Sequence, residues 1–228
     1  MKFLKTDGKR ALREPSFLLT VCFATIVAVV SYLYVIGTGV EVGLGHIVFK
    51  KSQSLILPFI APILAAIPYS NMNMLEEDCG YQKLLIVKSS GKRYEVSRFL
   101  VNGCIGGLTL LLPVALLYAA SAIGGWTNEM GPLLSVLLFD FMFGFSYASV
   151  SYGLTFICRK RYLPIVAPQV FYLLFLYAFP YLGLEFIYPP LAFSPWIMGT
   201  GFSINYVFYD PFWIDWSICF VTSISMYL

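Results

Sequence analysis

Asp140 stands inside a long apolar run, Pro132 to Cys158, and is the chain's one carboxylate set deep in such a run. At helical spacing it shares a face with Gly144, Tyr147, Ser151 and Thr155. Burying an acid in hydrocarbon costs from ~2.5 kcal/mol upward, so intramembrane acids turn toward a partner or a wet cavity. Two roles are open to this stripe. In one, Asp140, Tyr147 and Ser151 line a translocation path or an inter-subunit contact. In the other, Asp140 lies near the outer boundary and reaches water or a neighbouring hydroxyl.

A second group of chemistry-bearing residues lies in the polar gap 71–98, where Glu76-Glu77-Asp78-Cys79-Gly80-Tyr81 leads into Leu84-Leu85 and then Gly91-Lys92-Arg93-Tyr94. The order, acidic residues first and basic ones last, suits a helix opening at Met74 and running to Leu85, with charges that complement its dipole. Leu75, Tyr81, Leu84, Leu85 and Val87 then leave a short apolar ridge for another surface to grip. Ser90-Gly91-Lys92-Arg93 is a turn, because it lacks the earlier glycine and the Ser/Thr after lysine that a phosphate loop needs. His46, the single histidine, has no nucleophile or acid at useful spacing, and Glu76-Glu77 is followed by Tyr81 where an intramembrane protease family carries Arg. An enzyme is disfavoured. The five cysteines show no CxxC spacing, so neither a disulfide framework nor a metal site is expected.

These residues must be held by membrane helices. With 59% hydrophobic and 12% charged residues, the chain falls far below the charge content of about 25% usual for soluble domains. Six apolar runs, 16–37, 53–70, 99–123, 132–158, 163–184 and 212–228, approach the roughly 20 residues needed to span hydrocarbon. The reading is a single all-α domain over residues 1–228, a polytopic bundle of six spans. Thirteen of the fifteen basic residues fall in alternate gaps: the N-terminal stretch, the gap 71–98 and the turn Arg159-Lys160-Arg161. Lys50 and Lys51 alone fall on the other side. Lys and Arg are retained in cytoplasmic loops, which places both termini and the gap 71–98 in the cytosol of a plasma-membrane protein.

Residues 1–15 alternate apolar and basic positions, as a helix lying in the interface would. The first apolar run is too long for a signal-peptide core and no small-residue cleavage pattern follows it, so it is expected to be retained. Pro58, Pro62 and Pro68 should bend the second span and place it inside the bundle, where neighbours satisfy freed carbonyls. Gly103 and Gly107 form a GxxxG pair that permits close helix approach. Residues 185–211 are aromatic, proline-broken and free of basic residues, which suits short re-entrant helices in the outer leaflet. Trp126, Trp196, Trp213 and Trp216 cluster at that same boundary as an aromatic belt.

Glu77, Gly80, Leu84 and Leu85 follow the pattern E-x-x-G-x-x-x-L-L, and the chain around them resembles the permease subunits of type 2, or type V exporter-like, ABC transporters. Asp78 and Cys79 depart from the residues many members carry there. The resemblance implies a connecting helix before the first span, six spans, re-entrant helices between the fifth and sixth, and a coupling segment formed by Glu76, Glu77, Gly80, Tyr81, Leu84 and Leu85. It further implies a second permease copy or related permease, and a separate cytoplasmic ATPase that binds ATP and Mg, this chain holding no cofactor itself. Export of an amphipathic or peptide-like cargo, such as an antimicrobial peptide, is the expected activity. The alternatives are an ion-coupled secondary transporter, for which Asp140 would be the proton or sodium site, and a non-transporting immunity or scaffold protein. No internal repeat supports the carrier.

Overall fold

The computed structural model describes residues 2–39, 44–80, 91–125, 128, 130–158, 160 and 162–181. The regular elements among them are all helices: α1 (Lys2–Arg13), α2 (Pro15–Gly37), α3 (Gly45–Ser54), α4 (Leu57–Ala66), α5 (Met72–Asp78), α6 (Gly91–Gly124), α7 (Met130–Ile157) and α8 (Leu163–Tyr181). Helices α2, α6 and α7 are long and apolar enough to cross a membrane, and α3 with α4 makes a fourth if the bent pair is one span. The chain is a helical membrane protein. The sixth apolar run, the re-entrant stretch 185–211 and the four tryptophans lie outside the described residues.

Glu14 is extended (φ −63°, ψ 130°), as the residue before a proline prefers, and Pro15 opens α2 where its missing N–H costs nothing. One seam of α2 is buried, Phe17, Thr20, Ala24, Ala28, Ser31 and Val35, at spacings of three and four residues. These are mostly small side chains that let α2 lie close to α6. Its opposite face, with Leu19, Ile26 and Leu33, is exposed and apolar, as a lipid-facing stripe is.

The second apolar run departs from the expected bent helix. Helix starts already at Gly45, so Lys50 and Lys51 lie on α3 rather than in a gap, and the chain turns through 62° at Leu55-Ile56 before α4 resumes. Pro58 explains the break: its ring would collide with the carbonyl of Ser54, four residues earlier, and it has no N–H to donate. Pro62 lies inside α4, and the turn of helix around it is held from outside. The Gln169 amide donates to the Phe59 carbonyl (2.7 Å) and accepts from the Ile63 N–H (3.3 Å), inserting a side chain of α8 into the α4 hydrogen-bond ladder. The neighbour required for a proline-rich membrane helix is therefore Gln169. Replacing it by leucine strands two backbone groups, and Gln169→Leu should lose about 1–3 kcal/mol of stability. Thermal unfolding of the purified chain in detergent would measure this, and an unchanged midpoint would contradict it.

Helices α6 and α7 run antiparallel in the most extensive contact of the fold. A Cβ on Gly103 or Gly107 would strike the rings of Phe145 or Phe141, and one on Gly106 would strike the Ala148 side chain and the carbonyls of Ala65 and Gly144. The glycine pair thus serves packing inside one chain, and Gly106, between them, makes the closest approach. Around this seam the main core gathers Phe49, Leu57, Leu64, Leu110, Val114, Phe143 and Tyr147 from α3, α4, α6 and α7. A smaller apolar cluster of Ala11, Phe17, Tyr69, Val101 and Ile105 closes the end where the chain begins.

Candidate functional site

At that end, α1, the turn after α4, α5 and the first turns of α6 converge on one guanidinium. Arg98 of α6 is 1% exposed. It pairs with Asp7 of α1 at 2.9 Å and with both carboxylate oxygens of Glu76 on α5, and it donates to the Tyr69 hydroxyl. Tyr69 in turn donates to Asp7 (2.8 Å) and Tyr94 to Glu76 (2.9 Å). Arg10, 42% exposed at its side chain, reaches in from α1 to Glu76 at 2.5 Å. The rings of Tyr69 and Tyr94 lie 5.5 and 5.4 Å from the guanidinium carbon, within cation–π range. Two cations and two carboxylates thus neutralise one another in a site nearly closed to water.

Burial pushes the Asp7 carboxyl above the usual carboxylate range, against the opposing pull of the Arg98 guanidinium and the Tyr69 hydroxyl. An acid raised on folding contributes stability that is present below the ordinary carboxylate range and lost as pH rises through its folded value. Burial thus works against the same charge that Arg98 and Tyr69 stabilise. Glu76, with Arg10, Arg98 and Tyr94 around it, carries the negative charge that Arg98 needs.

The segment expected to couple to a partner is organised differently from the sequence expectation. Helix α5 ends at Asp78, capped by Cys79 N–H to Leu75 O (3.1 Å) and Gly80 N–H to Glu77 O (2.9 Å). Gly80 has φ +70°, a left-handed conformation in which glycine alone is unstrained, so it terminates the helix rather than continuing it. The acidic triplet 76–78 accordingly lies in the last turn of α5, where the helix dipole disfavours it. Arg10 and Arg98 offset that cost. Glu76 is 3% exposed and committed to this cluster, whereas Leu75, Glu77, Asp78, Cys79 and Gly80 face outward. Tyr81, Leu84 and Leu85 lie outside the described residues. Between α1 and α5 opens a cavity of about 600 Å³ lined by Arg10, Met72, Leu75, Glu76 and Cys79.

The stripe on α7 faces the bundle interior. Asp140 is 0% exposed, and its two oxygens accept from the Gln53 side-chain N–H₂ at 3.2 and 3.0 Å. It lies ten residues into α7, about 15 Å along a helix of about 42 Å. Among the described residues its hydrogen-bond partner is the Gln53 amide. Tyr147 is buried in an aromatic group with Phe143 (centroids 4.6 Å) and Tyr172 (6.0 Å). Ser151 donates to the Pro164 carbonyl at 2.5 Å. That carbonyl would otherwise bond the N–H of residue 168, which is proline, so Ser151 replaces a missing helix bond. The three candidates for a path are thus buried within one chain, and none is brought next to Glu77 or Gly80.

Gln53, Gln169, Asp7, Arg98, Tyr69 and Tyr94 escape a reading by motif. Their signal is polarity in the wrong place: an amide at the edge of or inside an apolar run, and an arginine flush against one, each of which needs a partner. No family model, curated protein or solved structure matches this chain.

Proposed function

We propose that the chain is the permease subunit of an ATP-binding cassette transporter, with α5 and the residues after it as the coupling segment for a separate ATPase. The observation that carries this reading is the joint at Arg98, which ties the N-terminal amphipathic helix α1 and the short helix α5 to the base of the membrane-crossing helix α6. A push on the outward residues Leu75, Glu77 and Asp78 would pass through Glu76 and Arg98 into α6 as a rigid unit. The excess of basic residues in the same gaps supports a cytosolic position for this end, in a chain that we read as a plasma-membrane protein. Two permease copies, or one with a related permease, would enclose the path, and ATP with Mg would bind the partner alone. An aromatic outer segment poor in charge favours export of an amphipathic or peptide-like cargo.

Purification of the tagged chain from its native membrane tests the reading. A stoichiometric ATPase should co-elute, and transport in reconstituted vesicles should require ATP. A carrier would instead transport with no nucleotide present. Glu77→Arg reverses an exposed charge, and Gly80→Pro forces φ to about −65° where +70° is required. Both should reduce ATPase co-elution severalfold while leaving membrane insertion intact, and full ATP-driven transport by both variants would refute the coupling assignment.

A further inference from the structure

We infer that Asp140 and Gln53 form a proton-binding site inside the bundle, in which Asp140 is held as the neutral acid hydrogen-bonded to the Gln53 amide. The inference does not rest on the permease reading, because the site lies wholly within this chain.

Both residues are 0% exposed. An ionised carboxylate has room for about four hydrogen bonds, yet among the described residues Asp140 accepts only from one amide nitrogen and pairs with no cation. Among the described residues, the elements packed against it bring no countercharge. On α4 there is no titratable residue, and α8 supplies tyrosines, Tyr172 among them. On α6, the titratable residues flanking Gly107, which packs against Phe141, are Cys104 and Tyr118, and neither is a cationic side chain. Lys50, one turn before Gln53 on α3, is half-buried and forms no ion pair with Asp140, and Lys51 is exposed. A proton is then the smallest species that removes the charge.

Gln53 suits this task because an amide is both donor and acceptor. Towards a carboxylate its N–H₂ donates, as in the observed geometry. Towards the acid, a tilt of the amide that sets Oε1 and Nε2 side by side against the carboxyl lets Oε1 accept the carboxyl proton while Nε2 still donates to the other oxygen, giving two complementary hydrogen bonds. Gln53 is also two residues before the break between α3 and α4. Gain or loss of the proton therefore changes the bond that holds α7 to the bend of the second span.

Infrared spectroscopy of the full chain in lipid bilayers tests the inference, comparing wild type with Asp140→Asn at neutral pH. The wild type should show a carbonyl band of a protonated carboxylic acid that Asp140→Asn lacks, and Gln53→Leu should shift that band towards the frequency of an acid without hydrogen bonds. If Asp140→Asn fails to insert, Gln53→Leu alone decides, since it keeps the acid and changes only its partner. A spectrum in which wild type and Asp140→Asn agree in the acid region, or in which Gln53→Leu leaves that region unmoved, overturns the proposal.

Discussion

Arg98→Leu is expected to be among the most damaging single substitutions in this chain, costing about 3–5 kcal/mol of stability. The reason is asymmetry. An intact buried ion pair repays its desolvation through Coulomb attraction and hydrogen bonds, so the pair as a whole adds little. Removing one partner leaves the other charged and dry. Here one guanidinium serves two carboxylates, and its loss leaves Asp7 with the Tyr69 hydroxyl and no ion pair, and Glu76 with the Tyr94 hydroxyl and the partly exposed Arg10. Leucine restores some packing but offers the carboxylates no donor. The same argument ranks the acids. Asp7→Asn should cost much less than Glu76→Gln, because burial already favours the neutral form of Asp7. Thermal unfolding of the purified variants in detergent, followed by intrinsic fluorescence, measures the series. A wild-type midpoint for Arg98→Leu, or a larger loss for Asp7→Asn than for Glu76→Gln, would show that the cluster does not carry the charge balance assigned to it. Adding Asp7→Leu and Glu76→Leu to Arg98→Leu should recover much of the loss, since the one charge then left without its partner, Arg10, is partly exposed.

Gly106→Val should be comparably severe for a steric reason. Overpacking a filled site costs about 1–3 kcal/mol where side chains can yield. At Gly106 the atoms in the way include the backbone carbonyls of Ala65 and Gly144, at 2.9 Å from even a first Cβ, and these belong to two other segments. Neither can turn aside as a rotamer does, so α6 and α7 must separate along the most extensive contact in the fold. For Gly103→Ala the nearest atoms are those of the Phe145 ring, a side chain that can shift, and the cost should be lower. The comparison of unfolding midpoints checks both, and equal losses at the two positions would mean that the seam yields as a whole. Gly80 lies at the other extreme. A Cβ there meets nothing, so Gly80→Ala carries only the left-handed backbone penalty of about 1–2 kcal/mol.

Most of the helical architecture was legible along the chain. Hydrocarbon thickness and the cost of an unpaired backbone group in lipid leave long apolar helices as the solution for runs such as 16–37 and 99–123, and α2 and α6 occupy them. Pro15 marked the junction between α1 and α2 because φ and the missing N–H act locally. The prolines of the second run announced that another helix must come to its aid. They did not say which one. The supporting atom came from Gln169, over a hundred residues away, and its pairing with Phe59 and Ile63 exists only once α4 and α8 are packed.

The ends of α5 show the same boundary from the other side. Acidic residues followed by basic ones suggested one continuous helix through Gly80, since dipole complementarity is a local rule. Yet the acids occupy the helix's last turn, because Glu76 gains more from Arg98 and Arg10 than it loses to the dipole. An ion pair between residues 22 apart in sequence leaves no periodic trace.

The amino-acid order by itself determined that this is a bundle of apolar helices, several of them long enough to cross lipid, because that outcome follows from solvation of single segments. Only the tertiary structure decided that Arg98 joins α1, α5 and α6, that Gly106 sets the distance between α6 and α7, and that Asp140 meets Gln53. Each of these depends on two groups being brought within a few ångströms by everything between them, and a group's own chemistry states that it needs a partner without naming the partner.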